Sequence, residues 1–393
     1  MSALTAQSDK FIRALVEELE VPEERYAQAE RSYKSFGDWT HREDSTVRKF
    51  APEVYVQGSF RLGTAIRPSN EQGEYDIDMV CVLRKLAKSG LTQNDLKSLL
   101  ETEVRGYHKS KGMKKPVKEG RRCWTLEYAE GAQFHMDILP ALPNAEGQRL
   151  LLEKRGLDTA YTETAIAITD QDHEHYNFVS DDWPRSNPKG YAEWFKSRMA
   201  EPFERIRKQL AEEQTRKGIR SSVEDIPAYR VRTPLQQAIM VLKRHRDDMF
   251  EGNMEIRPIS IIITTLAAHA YRGEAEVGDA LLSILDRMDS FIQFDGHKHI
   301  ILNPTDATEN FADRWEHHPE RRDAFSAWLE QARSDFFGLS KLTNYETMAE
   351  SRTTRISPEL KKRALGRVTQ VSGASLLGAA TPAPAVAGNE YAF

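Results

Sequence analysis

The sequence predicts an α+β protein in which a mixed sheet with flanking helices is followed by a largely helical lobe. Three observations carry this. Short runs rich in Val, Ile and Tyr, punctuated by Gly and Pro, occupy residues 54–139. One of them, residues 74–83, is apolar on both faces, as a central covered strand is. Beyond a Pro/Asn/Ser-rich break at Asp181–Gly190, apolar residues recur at helical spacing to about Ser340.

Taken in order, residues 4–20 read as a helix, with Phe11, Leu15 and Leu19 on one face. Pro22 opens a second helix through Tyr26, Ala29, Tyr33 and Phe36 that ends near Gly37. A polar helix is expected from Trp39 to about Phe50, and these segments should scaffold the sheet. Val54 and Val56 lead into a Gly58-Ser59 turn. The strand at 74–83 precedes a helix at 93–108. Lys109–Arg122 is basic, either a solvated edge or an electropositive rim for polyphosphates. Cys123–Tyr128 and Gln133–Leu139 read as a hairpin turning at Glu130-Gly131, and Thr164–Val179 as a second hairpin. The tip of the latter holds Asp170, Asp172, His173, Glu174 and His175. Their spacing matches no standard zinc pattern, so the tip reads as a solvated turn.

In the second half, Tyr191–Arg216 is one amphipathic stretch. Thr233-Pro234 caps a helix with Lys243 and Arg246 on its flank. Ile261–Tyr271 is a helix by its length, and residues 276–294 form another. From about Gly373 the chain is rich in Ala, Gly and Pro and is expected to be flexible. The division expected is therefore 1–185 for the sheet domain with its N-terminal helices, 186–365 for the helical lobe and 366–393 for a tail.

Composition narrows the class. A chain of 393 residues with 39% hydrophobic content supports a sizeable core. A formal charge of −5 argues against a generic nucleic-acid coat. Two cysteines build no disulfide framework, and no apolar run has the length of a membrane span. A cytoplasmic monomer without a membrane partner is expected.

The chemistry concentrates at Val56–Val82. Asp76 and Asp78 are two apart in a strand, so both carboxylates lie on one face. Two adjacent like charges are costly without a cation between them. Such hard oxygen donors suit Mg²⁺, which completes its shell with water and substrate phosphates. Asp137, alone in an apolar strand, is the natural third ligand. The Gly58-Ser59 turn supplies N–H groups and a hydroxyl for phosphates. Together these residues point to metal-dependent chemistry on a nucleoside triphosphate.

The ordered set of Gly58-Ser59, Asp76-Ile77-Asp78 and Asp137 resembles the nucleotidyltransferase fold of the polymerase β superfamily. The stretches Val56–Pro68 and Tyr75–Val80 narrow the resemblance to the bacterial CD-NTases, the cGAS/DncV-like nucleotidyltransferases with a SMODS domain. So do Ser186–Phe195, Leu242–Asp247 and Arg257–Ile261, while Ile301–Asp306 with Glu309–Ala312 resembles a segment of oligoadenylate synthases. The resemblance spans about residues 50–340. It implies a polymerase β-like core plus an oligoadenylate-synthase-like lobe. It also implies synthesis of a cyclic di- or trinucleotide messenger in CBASS anti-phage defence. Two Mg²⁺ ions, replaceable by Mn²⁺, would be held by Asp76, Asp78 and Asp137. Ser59 and the neighbouring N–H groups, with Gln57 ordering the turn, Lys243 and Ser260 would bind triphosphate. Trp124 and Asn303 are base-pocket candidates, with ordinary packing favoured for each. The implied partners are NTPs including ATP, an effector reached through the product, and a ubiquitin-like conjugation enzyme acting on the C-terminal tail. Two other readings stay open: a same-fold transferase acting on RNA, protein or a small molecule, and a non-catalytic nucleotide-sensing scaffold.

Overall fold

Thr5 starts the first ordered element: its hydroxyl accepts the Ser8 N–H and caps α1 (Ala6–Leu19). In the computed structural model the described residues are 4–69, 73–128, 134–216, 231–350 and 355–377. α2 (Glu23–His41) is followed by β1 (Pro52–Val56), the one-turn α3 (Gly58–Leu62), β2 (Tyr75–Leu83) and α4 (Gln93–Ser110). Then come β3 (Lys118–Glu119), β4 (Trp124–Glu127), β5 (Phe134–Pro143), α5 (Ala145–Lys154), β6 (Ile166–Ile168) and β7 (Arg185–Ser186). The helical half contains α6 (Pro188–Ser197), α7 (Ala200–Arg216), α8 (Pro234–Met249), α9 (Ser260–Ala270) and α10 (Val277–Arg287). It continues with β8 (Gln293–Phe294), β9 (His299–Ile300), β10 (Leu302–Asn303), β11 (Asp306–Asn310), α11 (Pro319–Leu339), α12 (Tyr345–Glu350) and α13 (Pro358–Leu377).

The sheet is mixed, as expected, in the order β1-β2-β5-β4-β3, with β6 and β7 extending from the far half of β5. β2 and β5 are parallel and every other pair is antiparallel. β5 is long enough to take β4 along its first half and β6 along its second. α2 and α4 cover one face through Phe36, Leu96, Leu100, Val104 and Tyr107, against Ile77, Met79 and Cys81 of β2. Val80 and Val82 pack on the other face with Tyr55, Leu139 and Ile166. β2 is thus central and covered on both sides.

Several boundaries differ from the sequence reading. α1 does not scaffold the sheet: Phe11, Ile12, Leu15, Val16 and Leu19 enter the core of the helical lobe with α8, α10 and α13. Each such buried side chain contributes about 1.5–3 kcal/mol, which outweighs proximity in sequence. α2 runs through Gly37 to His41, and Trp39–Phe50 holds only a 3₁₀ turn at Arg48–Phe50. The segment between is fixed by the buried Glu103 carboxylate, which accepts from the Thr46 N–H at 2.7 Å and pairs with Arg42. Thr164–Val179 is not a hairpin, because β6 pairs with β5 and β7. The amphipathic stretch 191–216 breaks between Ser197 and Ala200, where the Arg198 side chain turns aside to donate to the Ala268 carbonyl at 3.0 Å. The tail expected from 366 is helical to Leu377, since Leu360, Ala364 and Val368 pack in the same core as α1. Positions 378–393 and the Glu130-Gly131 turn lie outside the described residues.

If α1 belongs to the helical lobe, Leu15→Ala costs about 2–5 kcal/mol. Its hydrogen exchange then rises in α8 and α13, while β2 and β5 keep wild-type protection.

Candidate active site

The register of the two parallel strands builds the site. Asp78 of β2 lies directly opposite Asp137 of β5, and Asp76 opposite His135. Side chains two apart share a face, so three carboxylates converge on one patch of the sheet. Thr125 of β4, paired in register with Asp137, donates its hydroxyl to the Asp137 carboxylate and orients it. Among the described residues no basic side chain lies within ion-pairing distance of Asp76, Asp78 or Asp137. Burial first, then the neighbouring carboxylates, push the Asp78 carboxyl up to about 7. Burial also raises Asp76. A hard divalent cation fits this donor set, because it would relieve both the desolvation and the mutual repulsion.

The glycine turn meets these carboxylates closely. Gln57 is the residue before α3; its N–H donates to the Asp78 carbonyl at 2.8 Å, which ties the turn to β2. Gly58 has φ +62°, and a Cβ there would run into the Asp78 carboxylate. Gly58 thus admits Asp78 beside the first turn of α3, where the leading N–H groups have no intrahelical acceptors. Ser59 lines the same cavity, of ≈470 Å³, together with Asp76 and Asp78.

The opposite wall comes from the helical lobe. Lys243 on α8 lines the cavity, is only 7% exposed, and donates from Nζ to the Thr64 carbonyl at 2.9 Å. Burial lowers its ammonium to about 8, with Asp78 among the opposing influences. Ser260 stands at the first position of α9, after Ile259 at the cap, so it is not itself the N-cap. Its Oγ accepts from Arg246 at 2.8 Å, leaving the hydroxyl proton free to donate into the cavity. The structure therefore brings together Gly58, Ser59, Asp76, Asp78, Lys243 and Ser260 around one cavity, with Asp137 next to Asp78.

Asn303 is not brought there. Its amide donates to Glu309 at 2.6 Å and its carbonyl oxygen accepts from the Thr305 N–H at 2.9 Å, closing the β10–β11 turn. Trp124 is core, with its indole donating to the Lys97 carbonyl at 3.0 Å. The sequence reading missed Arg257, Arg246 and Glu74 as cavity residues. The first two stand in the motifs that flagged Ser260 and Lys243, so they were within reach of the same reasoning. Part of the basic stretch is ion-paired: Lys115 pairs with Glu74 and Glu127, Lys118 with Glu127, and Arg121 and Arg122 with Asp170, while Lys109, Lys111 and Lys114 have no acidic partner among the described residues. His173, His175 and Asp182 bring ligand atoms within 4.8 Å of one another. However, His173 Nδ1 accepts the His175 N–H at 3.3 Å, so a neutral ring carries its proton on Nε2 and offers no lone pair there. The turn is solvated only in part: Asp170 is buried and paired with Arg121 and Arg122.

A carboxylate cluster on paired strands, facing a glycine turn and a basic helix across a cleft, is the arrangement of a nucleotidyltransferase site. Residues 52–140, from β1 into β5, match the family model for the nucleotidyltransferase domain of cyclic GMP-AMP synthase DncV-like proteins. The chain is 27% identical over 345 residues to the c-di-GMP synthase of Roseivirga ehrenbergii, covering 87% of this chain and 82% of that protein. It is 25% identical over 322 residues to the cyclic dinucleotide synthase CdnG of Bradyrhizobium diazoefficiens, covering 78% of this chain and 70% of that one. The solved structure of the B. diazoefficiens CD-NTase CdnG in complex with GTP shares the fold, with a TM-score of 0.68 at 20% identity, over 93% of this chain and 100% of that chain. The chain carries a DncV-like nucleotidyltransferase domain, and its resemblance to the CD-NTases is borne out.

Asp78 gives a test of the site's electrostatics. Its folded-state carboxyl is raised from 3.8 to about 7, so the charge destabilises the fold progressively as pH climbs from 3.8, and fully above 7. Asp78→Asn removes that charge. In the absence of divalent metal it raises Tm at pH 8 by about 2 °C or more, and by less at pH 5. Added Mg²⁺ raises the wild-type Tm but not that of the variant.

Proposed function

We propose that this chain is a cyclic oligonucleotide synthase that joins NTPs into a cyclic dinucleotide or trinucleotide. The observation that carries this reading is the register that sets Asp137 beside Asp78, with Asp76 on the same face. Two curated relatives are named as cyclic dinucleotide synthases, which favours a two-nucleotide ring. The reaction is attack of a ribose hydroxyl on an α-phosphate, forming a new phosphodiester and expelling pyrophosphate. A second attack with exchanged roles closes the ring.

Asp76, Asp78 and Asp137 would hold the divalent ions, Mg²⁺ with Mn²⁺ as a substitute. Bound there, the ions supply Lewis-acid activation of the hydroxyl and charge stabilisation at the phosphates. Lys243 is protonated at neutral pH even with its lowered pKa, and its buried position makes it a strong point charge for a phosphate. The Ser260 hydroxyl and the N–H groups at the start of α3 donate to non-bridging oxygens. Gly58 keeps those donors next to the carboxylates. Burial and neighbouring carboxylates both disfavour the charge on Asp78, so metal and triphosphate binding are expected to reinforce one another.

The RNA-acceptor alternative is weakened, since Lys115, Lys118, Arg121 and Arg122 of the basic stretch it relied on are paired with Glu74, Glu127 and Asp170. The product is proposed to act as a second messenger in anti-phage signalling, reaching a separate effector. Among the described residues no helix is long and apolar enough to cross a membrane.

Incubation of the full chain with each NTP and with pairs of NTPs in Mg²⁺, followed by mass spectrometry, tests the reading. A phosphatase-resistant cyclic product is expected without any added acceptor. Asp76→Ala and Asp78→Ala each lower turnover by about 10³-fold or more, and Lys243→Ala raises KM by about tenfold with a smaller loss of kcat. Products that extend an added RNA instead would contradict it.

A further inference from the structure

A second cavity adjoins the triphosphate cleft. Arg257 and Ile261 line both, so the two share a wall. The second has a volume of ≈350 Å³, at the small end for ligand pockets and suited to one base with its sugar. Arg122, just before β4, faces it from the sheet domain, and Glu309, Asp313 and Arg314 face it from the helical lobe. It therefore spans the two halves that hold the reacting groups.

Glu309 is the unusual residue. It is accessible to water yet crowded by protein, as a cleft-wall residue is, and this desolvation pushes its carboxyl upward. One carboxylate oxygen accepts the Asn303 amide at 2.6 Å. Among the described residues the other oxygen has no hydrogen-bond partner, and no cation lies within ion-pairing distance. The Arg314 guanidinium is likewise without a partner among the described residues. An uncommitted carboxylate and an uncommitted guanidinium thus share one small cavity beside the metal cleft.

We propose, resting on the synthase reading, that this cavity seats the base of one reacting nucleotide and that Glu309 selects guanine there. Guanine presents two adjacent donors, N1–H and the N2 amino group, which a carboxylate accepts together. Its O6 and N7 are acceptors that suit an arginine. Adenine has a lone pair at N1, which would face the carboxylate unfavourably, and an amino group where the arginine expects an acceptor. Asn303 is then a positioning residue: it holds Glu309 through its amide while its carbonyl is fixed by Thr305. Asn303 would then act one residue removed from the cavity.

Calorimetric binding of non-hydrolysable GTP and ATP analogues to the full chain with Mg²⁺ tests this without turnover. The wild type should prefer the GTP analogue by at least about tenfold. Glu309→Gln still accepts from Asn303, so Tm stays near wild type, but one accepting oxygen becomes an amide NH2 donor and the preference falls to about threefold or less. Arg314→Met weakens the GTP analogue more than the ATP analogue, and Asn303→Ala lowers the preference in part. Equal wild-type affinity for the two analogues, or an unchanged preference in Glu309→Gln, overturns the proposal. Pyrophosphate release in the same preparations judges the synthase reading separately. A guanine preference that depends on Glu309 without any pyrophosphate release would leave base selection standing and remove the synthase reading.

Discussion

Mutual repulsion among Asp76, Asp78 and Asp137 is the constraint around which the molecule is arranged. Parallel pairing of β2 and β5 forces two of them into direct register and the third onto the same face. Among the described residues none of the three forms an ion pair, and His135, in register with Asp76, offsets only part of the charge. The turn before β2 must therefore carry Gly58, since any side chain there would occupy the space that the Asp78 carboxylate needs. The apolar packing beneath, from α2 and α4, holds β2 in place against this repulsion. The result is a carboxylate site whose donors suit a hard divalent cation.

The helical lobe is fastened to that turn by side chains of one helix. Gln236, Lys243 and Arg244 of α8 donate to the carbonyls of Leu62, Thr64 and Arg67. The carbonyls belong to the segment between the glycine turn and the aspartate strand. One rigid helix thus sets the distance between the carboxylates and the cations opposite them. α1 reinforces this by packing in the helical lobe although it begins the chain, and α13 returns to pair with it through Glu18, Arg363 and Arg367. The lobe that carries α8 is thus completed by elements far apart in the sequence.

The central part of this arrangement was legible in the sequence because it follows from short-range rules. Alternation in a strand places Asp76 with Asp78, and an isolated Asp137 in an apolar strand needs a partner. A Thr-Pro pair starts α8 as read. What was not legible depended on tertiary choices. Periodicity gives α1 an apolar face but not the surface that covers it. Pro22 marks the start of α2, yet Gly37 did not end it, because the helix packs against β1 there. Asn303 could be placed in a turn, the packing favoured for it, but only its contact with Glu309 shows what it orders. The basic run at 109–122 could not be weighed until its acidic partners, distant in sequence, were located.

Direct counting of bound metal tests the central claim most closely. Manganese titrated into the full chain with a non-hydrolysable GTP analogue, followed by electron paramagnetic resonance, reads the number of tightly held ions. Two ions per chain are expected for the wild type, with loss of one in Asp137→Asn and of both when Asp76 and Asp78 are replaced together by Asn. Undiminished binding in the Asp76→Asn, Asp78→Asn double variant would contradict the account.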